Sequence, residues 1–113
     1  MRKILAISPD QSFLRAIQWC LQSAGYVVLL SESLEDSFLE LNQSEPFLVI
    51  IDKDALDDQS GECEKFLKWF QHRSPVLLMT VDPAAAPAPH CDHCLPKDTS
   101  TVQLLSWVRQ LQR

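Results

Sequence analysis

Four short, almost wholly apolar runs set the strongest constraint on how this chain can fold. They are Ile4-Leu5-Ala6-Ile7, Tyr26-Val27-Val28-Leu29-Leu30, Phe47-Leu48-Val49-Ile50-Ile51 and Val76-Leu77-Leu78-Met79-Thr80-Val81. A strand with one wet face alternates apolar and polar residues. A run that is apolar at every position is a strand covered on both faces, as in a parallel sheet. The segments between the runs have helical spacing instead. Phe13, Leu14, Ile17, Cys20, Leu21 and Ala24 fall on one helix face, with Asp10 placed to cap its start and Gly25 to end it. Ser33 and Asp36 resemble a capping box for a helix through about Gln43, with Leu34, Phe38 and Leu41 as its stripe and Pro46 after it. A polar loop over residues 53–61 leads to a third helix bearing Cys63, Phe66, Leu67 and Phe70, which Ser74-Pro75 stops. Asp82-Pro83-Ala84-Ala85-Ala86-Pro87-Ala88-Pro89 follows the fourth run. Its prolines allow no more than about one helical turn. A short fifth strand is expected at Cys94-Leu95-Pro96. Ser100 and Gln103 then open a last helix carrying Val102, Leu105, Val108 and Leu111. Alternating strands and helices with right-handed crossovers predict an α/β fold: a doubly wound, five-stranded parallel sheet whose fourth helix is shortened or missing.

At 113 residues, with 46% hydrophobic and 22% charged residues, the chain is expected to form one domain spanning residues 1–113. That composition excludes a disordered or collagen-like chain. No apolar run approaches the ~20 residues that cross a bilayer, and no basic-then-apolar leader opens the chain, so a cytoplasmic protein without membrane contact is expected. The net charge is −5, and only His72-Arg73 and the Arg109 and Arg113 end come near a basic cluster. A polyanion needs a concentrated basic surface, so no direct nucleic-acid binding is expected. Two glycines cannot build a phosphate loop or a dinucleotide fingerprint, and no Gly-x-Ser-x-Gly elbow is present. An enzyme is therefore not expected. Cys20 and Cys63 sit at apolar periodic positions and read as small core residues.

In an open parallel sheet, sites form outside the carboxyl ends of the strands. Those ends carry Ser8, Pro9 and Asp10, then Ser31, Asp52, Thr80 and Lys97. A carboxylate, a hydroxyl and an ammonium there suit a phosphoryl group: one accepts it, one donates a hydrogen bond to it, one neutralises its charge. With Ile4-Leu5-Ala6-Ile7, the helix closing on Ser-Ala-Gly-Tyr, Leu48-Val49-Ile50-Ile51-Asp52, Ser60-Gly61, Pro75-Val76-Leu77-Leu78-Met79-Thr80 and Leu95-Pro96-Lys97, the chain resembles the receiver domain of bacterial response regulators along essentially its whole length. The resemblance implies a flavodoxin-like, CheY-like sheet. It implies Asp52 in the slot of the phosphoacceptor, and Thr80 and Lys97 as the switch and phosphate-binding residues. A histidine kinase or a regulator would be its protein partner.

The departures from that pattern matter as much as the matches. Receivers carry an acidic pair after the first strand that helps hold magnesium. Here Ser8-Pro9 fills those slots and Asp10 comes one position late. Mg²⁺ asks for several oxygen ligands in near-octahedral order, so Asp10, Asp52 and Asp54 make at most a weak magnesium site, and no other cofactor is implied. Asp98 follows Lys97 where the family has a proline. Cys94 stands where an aromatic reports activation. Thr80 and Lys97 are only 17 positions apart. The resulting expectation is a degenerate receiver-like module acting through protein contacts, with magnesium-dependent aspartyl phosphorylation impaired or lost and Asp52 ion-paired to Lys97. The alternative is a working phosphoacceptor of a two-component phosphorelay that uses Asp52.

A third reading centres on His90-Cys91-Asp92-His93-Cys94, whose side chains all suit zinc and whose Cys91 and Cys94 could form a redox pair. No second ligand pair stands elsewhere at metal spacing. Trp69 and Trp107 lie beside the stripes of their helices. Trp107, with Cys94 on the approach to the fifth strand, is the expected contact surface for a partner or a second copy.

Overall fold

The computed structural model describes residues 2–56, 65, 67–69, 73–81 and 92–111. Five parallel strands, β1 (Lys3–Ile7), β2 (Val27–Ser31), β3 (Leu48–Asp52), β4 (Val76–Thr80) and β5 (His93–Pro96), form one sheet in the order β2-β1-β3-β4-β5. The most apolar run, β3, is central, as its lack of any polar face requires. Three helices are bounded: α1 (Gln11–Ser23), α2 (Leu34–Ser44) and α3 (Thr101–Leu111). Residues 65 and 67–69 are also helical, and a 3-10 helix (Lys53–Leu56) follows β3. This is the doubly wound α/β architecture expected from the alternating runs.

The sheet divides the core into two layers. Ile4, Ala6, Leu48, Ile50, Leu77 and Met79 face α1 and α3 through Leu14, Ile17, Leu21, Leu104 and Val108. The alternate residues Leu5, Ile7, Val49, Ile51 and Val76 face Leu34 of α2 and Leu67. Strand alternation therefore delivers one apolar set to each face, and the twofold coverage explains why β1, β3 and β4 are apolar over nearly their whole length.

The ends of α1 follow from its sequence. The Asp10 carboxylate accepts from the N–H groups of Ser12 (2.9 Å) and Phe13 (3.4 Å), which have no carbonyl of their own in the first turn. At the other end Gly25 N–H donates to Gln22 and Tyr26 N–H to Leu21, the paired bonds of a Schellman closure. That closure holds Gly25 at φ +95°. A Cβ there would meet nothing within 4 Å. Gly25→Ala should therefore cost about 1 kcal/mol through backbone conformation alone, read as a lower denaturant midpoint with an unchanged slope.

Three expectations are corrected. Val102 is not in the stripe of the last helix: it is 75% exposed, and Leu104 and Val108 are the buried residues, with Leu105 and Leu111 partly buried beside them. Phe38 points outward from α2 and stacks on Trp69 at 4.4 Å, while Leu34 and Ser37 turn inward. Val81 lies beyond β4 and is exposed. Cys63, Phe66, Phe70, the Ala/Pro segment with its shortened fourth helix, Asp57, Asp58, His90 and Cys91 lie outside the described residues. Among the described residues no helix is long and apolar enough to cross a membrane.

Candidate functional site

The strand order reverses between β1 and β3, so the crevice of an open α/β sheet falls where these two strands end. Asp52, the last residue of β3, sits there with 0% exposure. A buried carboxylate is costly unless its oxygens find donors. Here each does. Asp52 Oδ2 accepts from the Ser8 hydroxyl at 2.6 Å and from Lys97 Nζ at 2.9 Å. Oδ1 accepts from the backbone N–H of Asp54 at 3.0 Å, an Asx-type turn that starts the 3-10 helix.

Each donor is placed by its own element. Ser8 continues the sheet, its N–H donating to Ser31 of β2, and its hydroxyl also accepts from Asp10 N–H at 2.9 Å. That acceptance orients the hydroxyl proton at Asp52. Lys97 follows β5, and its N–H donates to the Thr80 carbonyl at 2.9 Å, so Thr80 sets the position of the lysine through the backbone. Thr80 itself is buried, one residue beyond Met79, the register partner of Asp52. The three residues singled out from the sequence therefore do gather at one sheet edge.

The Lys97 ammonium bridges two carboxylates, lying 3.6 Å from Asp54 Oδ2 as well as 2.9 Å from Asp52. It also lies 5.0 Å from the centre of the Phe13 ring, in the first turn of α1. Partial burial favours loss of its proton. The hydrogen bond and charge of Asp52, with Asp54 behind them, outweigh that and hold Lys97 above its ordinary value of 10.5.

The residues present do not fit the magnesium ion that receivers hold. The Asp10 carboxylate caps α1, the Asp52 oxygens are engaged by Ser8, Lys97 and Asp54, and no other carboxylate follows β1. Asp10, Asp52 and Asp54 are thus not assembled as a weak metal set, and among the described residues no group of three His, Cys, Asp or Glu could hold a metal ion. Magnesium keeps most of its waters but still needs one or two carboxylate oxygens free to reach it, and those of Asp52 are already engaged by an ammonium, a hydroxyl and an N–H.

The sequence places Ser8 at the end of the first strand, in a slot where receivers carry an acid, but gives it no partner. Its positive role needed the register that points it at Asp52. Phe13 was read purely as a core residue. Its place one turn after the Asp10 cap was the available signal that it borders the strand ends.

The residues at the entry to β5 divide into separate roles. Asp92 Oδ2 accepts from Val76 N–H at 2.8 Å and Asp92 N–H donates to the Val76 carbonyl, clamping the entries of β4 and β5 together. His93 meets Trp107 edge-on at 5.0 Å. Cys94 is a free, exposed thiol. Cys20 is buried, and burial pushes its thiol up from its ordinary 9.0. Thiol labelling read by peptide mass mapping should therefore modify Cys94 at least about tenfold faster than Cys20, whose thiolate is both rarer and shielded.

Leu95, Pro96, Asp98, Val102 and Trp107 line an open groove of about 720 Å³ between β5 and α3. Trp69 is half-buried, stacked on Phe38, with the Arg73 guanidinium 4.4 Å from its ring. Trp19 on α1 is 75% exposed, a large apolar residue off the helix stripe that the sequence reading left unmarked.

No family model and no curated protein matches the sequence. Solved structures match its shape. A chemotaxis response regulator of Vibrio cholerae, CheY4, superposes with a TM-score of 0.81 at 19% identity, covering 98% of each chain. A two-component response regulator from Clostridium difficile gives 0.81 at 17% identity over 100% of this chain and 97% of that one. A response regulator receiver protein from Burkholderia phymatum gives 0.80 at 20% identity over 98% and 94%. At these identities the likeness establishes the fold, the flavodoxin-like sheet of CheY-like receivers.

Proposed function

We propose that this chain is a receiver-like signalling module that acts through protein–protein contacts, with magnesium-dependent aspartyl phosphorylation impaired or absent. The fold supports the signalling role. One observation carries the rest: the buried Asp52 carboxylate is held by Ser8, Lys97 and the Asp54 N–H, and among the described residues the only other carboxylate at this lysine, that of Asp54, is paired to the same ammonium. Phosphoryl transfer depends on a metal to neutralise developing charge. A carboxylate paired with an ammonium and a hydroxyl is also a poorer nucleophile than a free one. The module is not an enzyme on this reading. It works in the cytoplasm, touching neither nucleic acid nor membrane. Its partner is a histidine kinase or a regulator, or a second copy of itself, and the groove at Val102 and Trp107 is the contact surface.

The second reading, a working phosphoacceptor, is favoured by the meeting of Asp52, Thr80 and Lys97 at one sheet edge. Incubation with a small phosphodonor and Mg²⁺, read by intact mass, separates the two. The leading reading expects an unmodified chain. An added phosphoryl group on the wild type that is missing from Asp52→Ala would establish the second reading in its place.

A further inference from the structure

The misfit between this site and a dication has a specific physical content. An ammonium already stands where positive charge is needed. Lys97 Nζ lies within 4 Å of both Asp52 Oδ2 and Asp54 Oδ2, and it is tethered there by Thr80 through the backbone. Only 19% of the Lys97 side chain is exposed, whereas 69% of the Asp54 side chain is. The Phe13 ring beside Nζ suits an ammonium on a hydrocarbon stem. It does not suit a magnesium ion, which keeps its water shell reluctantly shed. The Ser8 proton is aimed at Asp52 and its oxygen already accepts from Asp10 N–H, which leaves Ser8 one neutral lone pair, and no charge, to offer a metal ion.

We infer that Lys97 is the resident cation of this site: its ammonium neutralises the Asp52–Asp54 carboxylate pair in place of a metal ion and keeps divalent cations out. This builds on the receiver-like reading but concerns metal exclusion, not phosphorylation. Its consequence is a gain of function on deletion. Without the ammonium the two carboxylates share an uncompensated double charge at one edge of the sheet, with Asp54 open to solvent. Like charges so placed draw in a dication.

The test is titration with Mn²⁺, followed by electron paramagnetic resonance, of the wild type, Lys97→Met, Lys97→Arg and Lys97→Met/Asp52→Asn. The wild type and Lys97→Arg are expected to bind no tighter than the double variant. Lys97→Met should bind at least about tenfold tighter, because removing a unit charge some 4 Å from the ion exceeds 1.4 kcal/mol even at high effective dielectric. Wild-type binding equal to that of Lys97→Met overturns the inference, as does a folded Lys97→Met that gains nothing. Should Lys97→Met not fold, nitrogen-15 NMR of the Lys97 ammonium in the wild type decides the matter. A signal unchanged by millimolar Mg²⁺ is expected, and one displaced by it overturns the inference. A wild type that binds Mn²⁺ yet stays unphosphorylated removes the resident cation alone. A phosphoryl adduct on a wild type that excludes Mn²⁺ removes the functional reading alone.

Discussion

Lys97→Met is expected to lose about 3 kcal/mol of stability, the lower end of what breaking a buried ion pair costs. For a domain of this size that lowers the melting temperature by roughly 12 °C. The loss comes from Asp52, which has 0% exposure and would lose one donor, more than from the lysine, whose side chain keeps 19% exposure. Ser8 and the Asp54 N–H remain, and they limit the damage. The double variant Lys97→Met/Asp52→Asn should recover about half of the loss, because an amide in the core without a cation is far cheaper than a carboxylate. A double variant as unstable as Lys97→Met would show that the lysine acts through packing instead. The pH dependence has a definite sign. Lys97 is held above its ordinary 10.5, so the pair contributes fully below that value and fades only as pH rises through the higher folded value. The stability gap between wild type and Lys97→Met should be flat from neutral pH to about 10 and narrow beyond it.

Ile50→Ala is expected to cost about 4 kcal/mol, within the range for deleting a large buried aliphatic side chain. Ile50 has no exposure, lies on the central strand, and packs into the layer shared by α1 and α3. A cavity there has strand on both sides and little freedom to collapse. Val102→Ala on α3, where the side chain is 75% exposed, should change stability by less than about 0.5 kcal/mol. Urea unfolding of the two variants checks the contrast. Equal losses would mean that the groove face is packed in solution and that α3 is not the free surface proposed.

The first four strands were legible because each is built on an almost wholly apolar run, which a doubly covered sheet accepts; β5, with His93 in it and its first two residues exposed, carries no such run. The caps were legible because Asp10, Ser33, Gly25 and Ser100 carry side-chain or backbone chemistry that needs no tertiary context. Asp36 N–H bonds Ser33 Oγ and Gln103 N–H bonds Ser100 Oγ, as their spacing implied. The stripe of α3 was misread for a physical reason. Val102, Leu104, Leu105, Val108 and Leu111 offer two overlapping apolar rows of equal hydropathy, and the sheet selects the one through Leu104. At the site, the gathering of carboxyl strand ends at one side of a parallel sheet, with the receiver-like pattern, foretold that Asp52 and Lys97 would meet. It could not foretell that Ser8 would donate to Asp52, that Phe13 would border the ammonium, or that Asp92 would clamp Val76. Each of those depends on register between strands far apart in sequence.

The central claim is that Asp52 is locked by Ser8 and Lys97 and does not take a phosphoryl group. Amide NMR of the wild type, titrated with Mg²⁺ and the phosphoryl mimic beryllofluoride, tests it at the atoms concerned. The account predicts that the resonances of Ser8, Asp52, Thr80 and Lys97 stay where they are. Saturable shifts at those four residues, absent from Asp52→Asn, would contradict it.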